Sequence, residues 1–407
     1  MVHSIVIGAG MVGLATAWHL QERGVEVTVL DRTGVAAGSS WGNAGWLTPG
    51  KAIPLADPSL WTYGPKALVD PDAALHVPFR VDATLWTFLA QFAAHGTHRA
   101  WDRTMAALTP IDKIALACFD ELTDGGVDSW TREGPFVIGF PEEAHAKGFL
   151  REIAGVERHG QSVPLERLEN PQELAPQLSP AVKAAYRLDG QRFLEPWPFM
   201  KALGEAVVAR GATLRTGADV IDVTGGAEPS VTLSSGERIA ADSVVIATGA
   251  WMPKLARRFG VRTRVQAGRG YSFTVETTDP AEHPVYLPAQ RIACTPYEGR
   301  FRIAGTMEFR GPDEVLQPRR IQAIINQSRT LLQGVDLDNR QDEWVGSRPV
   351  TPDGLPLVGA TRADGVYVAG GHGMWGIVLG PATGKLLAEQ IVTGRTDPAI
   401  APFNPLR

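Results

Sequence analysis

Ser4-Ile-Val-Ile-Gly-Ala-Gly-Met-Val-Gly-Leu-Ala-Thr-Ala-Trp18 decides the fold. Ser4 to Ile7 is a short apolar run that reads as a strand, and Leu14 onward reads as a helix to about Arg23. Between them Gly8, Gly10 and Gly13 stand at the G-x-G-x-x-G spacing. Val25 to Leu30 reads as a second strand, and Asp31 ends it. That order is a βαβ nucleotide site: one glycine for the tight turn, one for approach of a pyrophosphate, one for close helix–strand packing. The helix N-terminus offers free N–H groups to phosphate, and Asp31 can accept from a ribose hydroxyl.

Composition narrows the class. The chain has 407 residues, enough for two domains, with 44% hydrophobic and 20% charged residues, as in ordinary globular proteins. A formal net charge of −5 gives no electrostatic case for nucleic acid or an anionic membrane. No apolar run reaches the ~20 residues of a transmembrane span. The first strand starts too early to leave room for a cleaved leader, so the expected location is the cytoplasm. Cys118 and Cys294 are the only cysteines, read as two reduced thiols, with neither a disulfide framework nor a metal site.

Past Asp31, the segment Arg32 to Trp46 is rich in Gly, Ser and Asn, and could let the second half of a long cofactor pass the backbone. Residues 48–200 read as an inserted, partly helical region. It has helices at Trp86–His95 and Trp101–Leu122, with Pro110 at a start or a kink, and a strand within Trp130–Phe140. Helical pieces are expected over Gly148–Arg158 and Leu165–Leu178. Nucleotide-domain grammar returns with the helix Phe199–Arg210, a hairpin-like pair at Val220–Val223 and Val231–Leu233, and the strand ending at Thr248-Gly249. Arg262–Phe273, Arg291–Thr295 and Arg300–Phe309 alternate as antiparallel strands. Arg319–Leu332 reads as a helix, and Trp344–Arg348 leads into a turn-rich crossing, Pro349 to Gly354. The strand Val366–Ala369 then enters a glycine turn and a last helix that Gly394 ends.

Glycine turns at the start, middle and end therefore meet at one sheet edge, and the domains must be discontinuous. The expected fold class is α/β: a Rossmann-like FAD-binding domain with a second α+β substrate domain on an antiparallel sheet. The first takes residues 1–48, 191–261 and 341–407, the second 49–190 and 262–340.

These residues resemble the FAD-dependent amino-acid oxidoreductases of the D-amino acid oxidase superfamily, which includes glycine oxidase and sarcosine oxidase. Within it they are most similar to the bacterial D-amino acid dehydrogenases. The resemblance covers nearly the whole chain. It is carried by Ile7–Gly13, Gly38-Ser-Ser-Trp-Gly-Asn-Ala-Gly45, Gly268-Arg-Gly-Tyr-Ser272, Arg302-Ile-Ala-Gly-Thr306, Gly346-Ser-Arg-Pro-Val-Thr-Pro-Asp-Gly354 and Gly370–Lys385.

The resemblance implies roles. Gly8, Gly10, Met11, Val12 and Gly13 would hold the FAD pyrophosphate, and Asp31 and Arg32 the adenosine side. Ser39, Ser40, Asn43, Ala44 and Gly45 would follow the ribityl chain and flavin. Val220 would meet the adenine through its backbone, and Gly249 would line the cofactor. Gly371, His372, Gly373, Met374, Trp375, Gly376 and Ile377 would wrap the pyrimidine end of the flavin. Arg348 matches the arginine that binds the substrate carboxylate, with Tyr271 and His372 as further catalytic candidates. Arg269 is a candidate neighbour of the flavin, and Trp46, Trp344 and Trp375 are candidates for the pocket wall; each has an ordinary packing role as its alternative.

Two departures shape the expectation. Met374 stands where glycine oxidases carry a second arginine, which points to a less polar pocket. No cysteine follows Cys294, so the FAD is expected to be non-covalent. The implied reaction is oxidation of a C–N bond of a small D-amino acid by hydride transfer to FAD. It gives a 2-oxo acid and ammonia, and the electrons pass to a quinone or a redox partner. A secondary amino acid oxidase of the sarcosine or D-proline type is the alternative. A non-catalytic flavin-binding subunit is the alternative from another class. Peripheral contact with a membrane remains compatible with these readings.

Overall fold

The structure, a computed structural model, describes residues 2–407. Its first sheet has six strands in the order Thr213–Thr216, Glu26–Asp31, His3–Ile7, Ser243–Ile246, Val366–Gly370 and Leu357–Ala360. The first five run parallel, and Leu357–Ala360 pairs antiparallel at the edge. Ile5, Val6, Val29, Val244, Val245 and Val368 are fully buried, as strands covered on both faces require. The helix Met11–Gln21 packs against the C-terminal helix Gly376–Thr393 on one face, where Gly384 takes the close approach: a Cβ there would sit 2.6 Å from the Ala15 backbone. The sheet's direction of winding reverses at His3–Ile7, so the carboxyl ends of its central strands open a crevice.

The second sheet has nine strands, with Gln341–Val350, Gln266–Val275, Arg300–Phe309, Ile292–Tyr297 and Val285–Leu287 at one end. Phe136–Phe140, Ala184–Leu188 and Leu165–Leu168 continue it, and Leu75–His76 pairs with Arg300–Phe309. Its core, with Tyr271, Phe273, Ile303 and Phe301, is closed by the helix Pro318–Ser328 through Ile321, Ile324 and Ile325.

Three expectations change. Leu165–Leu178 is not helical: Leu165–Leu168 is a strand on Ala184–Leu188, followed by a short 3-10 turn at Pro171–Glu173. Pro171 and Pro176 deny a helix its backbone donors. The stretch around Arg348 is not merely a crossing. Gln341–Val350 is a ten-residue strand paired with Gln266–Val275, so the chain returns to the first sheet after Val350 rather than at 341. The long helix His98–Asp124, expected within the inserted region, also serves the first sheet's core, where Leu108, Ile111, Phe119 and Leu122 pack beside Leu14, Phe199 and Leu379. Pro110 lies inside that helix.

Candidate active site

Three connected cavities run along the carboxyl edge of the first sheet and into the space below the second. The first, about 410 Å³, is lined by Gly8, Gly10, Asp31, Arg32, Ser39, Ser40, Val220, Thr248 and Gly249. The second is a narrow slot of about 70 Å³ that shares Gly10, Ser39, Ser40 and Gly249 with the first. Met11, Val12, Asn43, Arg348, His372, Gly373, Met374, Gly376 and Ile377 complete it. The third, about 350 Å³, shares Asn43, Arg348 and Met374 with the slot and adds Ala44, Trp46 and Trp375.

The first cavity is shaped by atoms that are absent. Gly8 turns at φ 114°, and a Cβ there would lie 2.5 Å from the Ala247 carbonyl oxygen. A Cβ on Gly13 would lie 1.9 Å from the Gly8 carbonyl oxygen, so Gly13 lets the helix press on the turn without itself lining the cavity. Helix Met11–Gln21 starts at Gly10 with no side-chain cap; Met11 N–H donates to Ser40 Oγ at 3.2 Å. Asp31 accepts from Ala9 N–H at 2.9 Å through one oxygen and from Thr33 and Gly34 N–H through the other. It fastens the glycine turn to the next loop and still faces the cavity. Arg32 lies over the Trp251 ring at 4.2 Å and pairs with Asp313 at 3.0 Å, closing the rim.

At the slot a second helix, Gly376–Thr393, also starts without a side-chain cap. Two helix N-termini thus face one channel, each favourable to negative charge. His372 is buried, its Nε2 within hydrogen-bond distance of Thr383 Oγ1 at 2.9 Å. Burial pulls its pKa down to about 4, so the ring is neutral near pH 7. Unfolded, this imidazole takes up a proton near its ordinary 6.5; folded, only near 4. Its contribution to stability is therefore whole above 6.5 and is lost as the pH falls towards 4, by roughly 3 kcal/mol at the acid end. Denaturant midpoints measured across that window should show the loss, and His372→Gln should reduce it, leaving the part due to His19, which burial holds at about 3.

Arg348 joins the slot to the third cavity. Its guanidinium lies across Gly270 on the neighbouring strand, where a Cβ would fall 2.1 Å from Cζ. No carboxylate of the described residues pairs with it, and burial pulls it down to about 10, still a cation at neutral pH. The rest of the wall mixes apolar side chains with Lys51, Asp57, Glu152 and Arg291. Trp375 Nε1 donates to the Ile53 carbonyl at 2.8 Å, and Trp46 Nε1 to Thr295 Oγ1 at 2.8 Å, which sets both rings.

Other candidates lie elsewhere. Tyr271 is fully buried in the second core, and its hydroxyl donates to Glu308 rather than reaching a cavity. Successive strand residues face opposite sides: Gly270 and Ser272 turn to the channel loop, where Ser272 Oγ donates to the Gly42 carbonyl, and Tyr271 turns away. Arg269 is buried on that far side and donates to the Val315 carbonyl at 3.1 Å. Trp344 fills the space left by Gly42 and Gly346, each of whose Cβ atoms would collide with its ring. Gly45 lines no cavity; at φ 75° it admits the Leu194 carbonyl, 2.1 Å from where a Cβ would stand. Gly371, at φ 75°, shapes the turn from behind. Sequence reading missed Gly270, Lys51 and Arg291; the last two line the third cavity and belong to no motif.

These features fit FAD: a glycine cradle with an uncapped helix for the pyrophosphate, a hydroxyl-lined passage, and a second helix terminus at the far end. Neither cysteine lines a cavity; Cys118 and Cys294 sit in the two cores, and burial pushes both thiols up. Acid precipitation should therefore release the flavin into the supernatant; colour kept in the pellet would show a covalent link. Among the described residues no helix is long and apolar enough to cross a membrane, and no His, Cys, Asp and Glu cluster is arranged for a metal ion.

Comparison with solved structures shows the same fold. Glycine oxidase from Geobacillus kaustophilus superposes with TM-score 0.74 at 24% identity, over 100% of this chain and 99% of that one. L-proline dehydrogenase from P. horikoshii gives 0.74 at 19%, over 100% and 97%. Iminodiacetate oxidase from Chelativorans sp. BNC1 gives 0.73 at 19%, over 99% and 98%. The family model DAO, FAD dependent oxidoreductase, matches residues 3–390. With the cradle, the two helix termini and that match in hand, the chain belongs to the DAO family of FAD-dependent oxidoreductases.

Proposed function

We propose that this flavoenzyme oxidises the C–N bond of a small amino acid, with D-amino acids as the primary class. The imine product would hydrolyse to a 2-oxo acid and ammonia, and the electrons would leave to a quinone-like acceptor. The observation that carries this reading is Arg348: a half-buried guanidinium with no protein carboxylate, at the junction of the slot and the third cavity. A planar fork of donors suits a substrate carboxylate, which it can hold through two parallel bonds.

FAD, when bound, supplies the two-electron acceptor. The chain's own residues do the rest by position and charge. Arg348 fixes the carboxylate and thereby the α-carbon beside it. Gly270 leaves room for that guanidinium. Met374, Trp375 and Trp46 line the cavity with apolar surface that limits water. The start of helix Gly376–Thr393 favours the negative charge that reduction creates. No protein base is required once the substrate amine is neutral.

The neighbours named for L-proline and iminodiacetate favour a second reading, a secondary amino acid as substrate. Met374 suits it too, since an apolar wall tolerates a substituted amine. Anaerobic titration separates these readings. D- and L-forms of neutral, acidic and secondary amino acids are added in turn and loss of flavin colour is followed. Bleaching by a primary D-amino acid supports the first reading, and bleaching by sarcosine or D-proline alone supports the second. A yellow protein that no amino acid bleaches would make it a flavin-binding subunit and not an amine oxidase. Stopped-flow reoxidation with oxygen against a quinone or dye then assigns the acceptor; oxygen as fast as the dye would make it an oxidase.

A further inference from the structure

We propose that the third cavity holds a second anion site, built on Arg291 with Lys51 beside it. The substrate would then be an amino acid carrying a second carboxylate or equivalent anion. This rests on the reading of Arg348 as the first anchor.

The inward-facing arginines of this chain fall into two groups, three buried and two half-buried at a cavity wall. Arg269, Arg302 and Arg320 donate to backbone carbonyls or a hydroxyl: Val315, Gly42 with Ser272, and Ala73 with Met307. Arg348 and Arg291 instead face one cavity, and among the described residues neither has a carboxylate within ion-pair distance. Arg291 sits at φ 55° in the tight turn between Val285–Leu287 and Ile292–Tyr297, and its N–H donates to the Pro288 carbonyl at 3.1 Å. Its guanidinium lies over the Tyr63 ring at 4.5 Å, which steadies the plane, and Tyr63, Tyr286 and Asp57 nearby favour its charged form without an ion pair. A half-buried guanidinium at a cavity wall, with no ion-pair partner among the described residues, is placed for a ligand anion that completes it.

The charged groups of the wall are Lys51, Arg291, Arg348, Asp57 and Glu152, and burial together with the nearby Arg291 pulls Lys51 down to about 7. Lys51 is already paired with Glu152. Asp57 accepts Ser59 N–H at 2.7 Å. Arg291 is the cation of this wall that neither a protein ion pair nor the first carboxylate at Arg348 takes up, and an acidic side chain on the substrate would supply its partner. The same cavity wall also carries Leu55, Phe149 and Met307, apolar surface that suits a short aliphatic spacer.

The test uses the FAD-loaded enzyme and isosteric pairs. Saturation constants from anaerobic bleaching are compared for glutamate against glutamine and aspartate against asparagine, in both enantiomers. The acid should be bound at least about tenfold more tightly than its amide. Arg291→Gln should bring that ratio near one, and Arg291→Lys should restore part of it. Perturbation of the flavin spectrum by glutarate against butyrate gives a second readout on the unmodified protein, and glutarate should bind more tightly. Equal constants within each pair, or an acid preference unchanged in Arg291→Gln, would overturn the second site. Bleaching by neutral amino acids with no gain from the acidic group would do so while leaving the first anchor standing. Bleaching by no amino acid at all would remove both.

Discussion

Arg348→Ala keeps its FAD and loses affinity for a carboxylate substrate by about 30-fold to several-thousand-fold. The range follows from the ~2–5 kcal/mol attached to a buried, hydrogen-bonded charge pair, at ~1.4 kcal/mol per tenfold. Flavin retention follows from position: the cradle at Gly8, Gly10 and Ser40 is built without this side chain. Arg348→Lys keeps the charge and loses the fork, so its loss should be smaller. Gly270→Val offers an independent route to the same result. Its side chain must occupy the place of Cζ, so Arg348 is driven off its position although its own sequence is intact. Measured together, flavin absorbance and the substrate's saturation constant decide the matter. An alanine variant with FAD and unchanged affinity would put the anchor elsewhere.

Gly13→Val is expected to yield colourless protein. The added Cβ would stand 1.9 Å from the Gly8 carbonyl oxygen, and that atom belongs to the turn itself, so no side chain can swing aside to relieve it. Overpacking costs ~1–3 kcal/mol where neighbours can adjust; here the relief must come from separating helix and strand, which also dismantles the phosphate cradle. The flavin-to-protein absorbance ratio should fall to near zero, with a lowered melting temperature for the apoprotein. A yellow variant with one flavin per chain would show that the turn tolerates the displacement. Gly10→Ala is the contrasting case: its Cβ would meet only Ser40 Oγ, at 3.5 Å, so folding should survive while cofactor affinity drops.

The cofactor half was legible because its signals are local. Gly8, Gly10 and Gly13 lie within six residues, and the turn they make depends on no distant neighbour. Arg348 was legible only through its motif. The reason it works, a missing side chain at Gly270 on the neighbouring strand, lies in strand register, which sequence alone does not give. Tyr271 illustrates the same limit. One step along a strand exchanges channel for core, and an aromatic suits either face. Arg291 left no functional trace, since a cation before a strand is commonplace and only the fold brings it into one cavity with Arg348.

The six-stranded sheet carries a consequence for biogenesis. Ser4 pairs with Ser243, and Val244 with Val366. The strand His3–Ile7 is made more than two hundred residues before its neighbour Ser243–Ile246, and the helix Gly376–Thr393 that closes the flavin end is made later still. Until then the first strands have open edges and an uncovered apolar face, a state prone to wrong pairing. Loop closure over such separations makes assembly slow. Flavin insertion therefore waits for the helix Gly376–Thr393, and its loss would remove cofactor binding even with the glycine signature untouched.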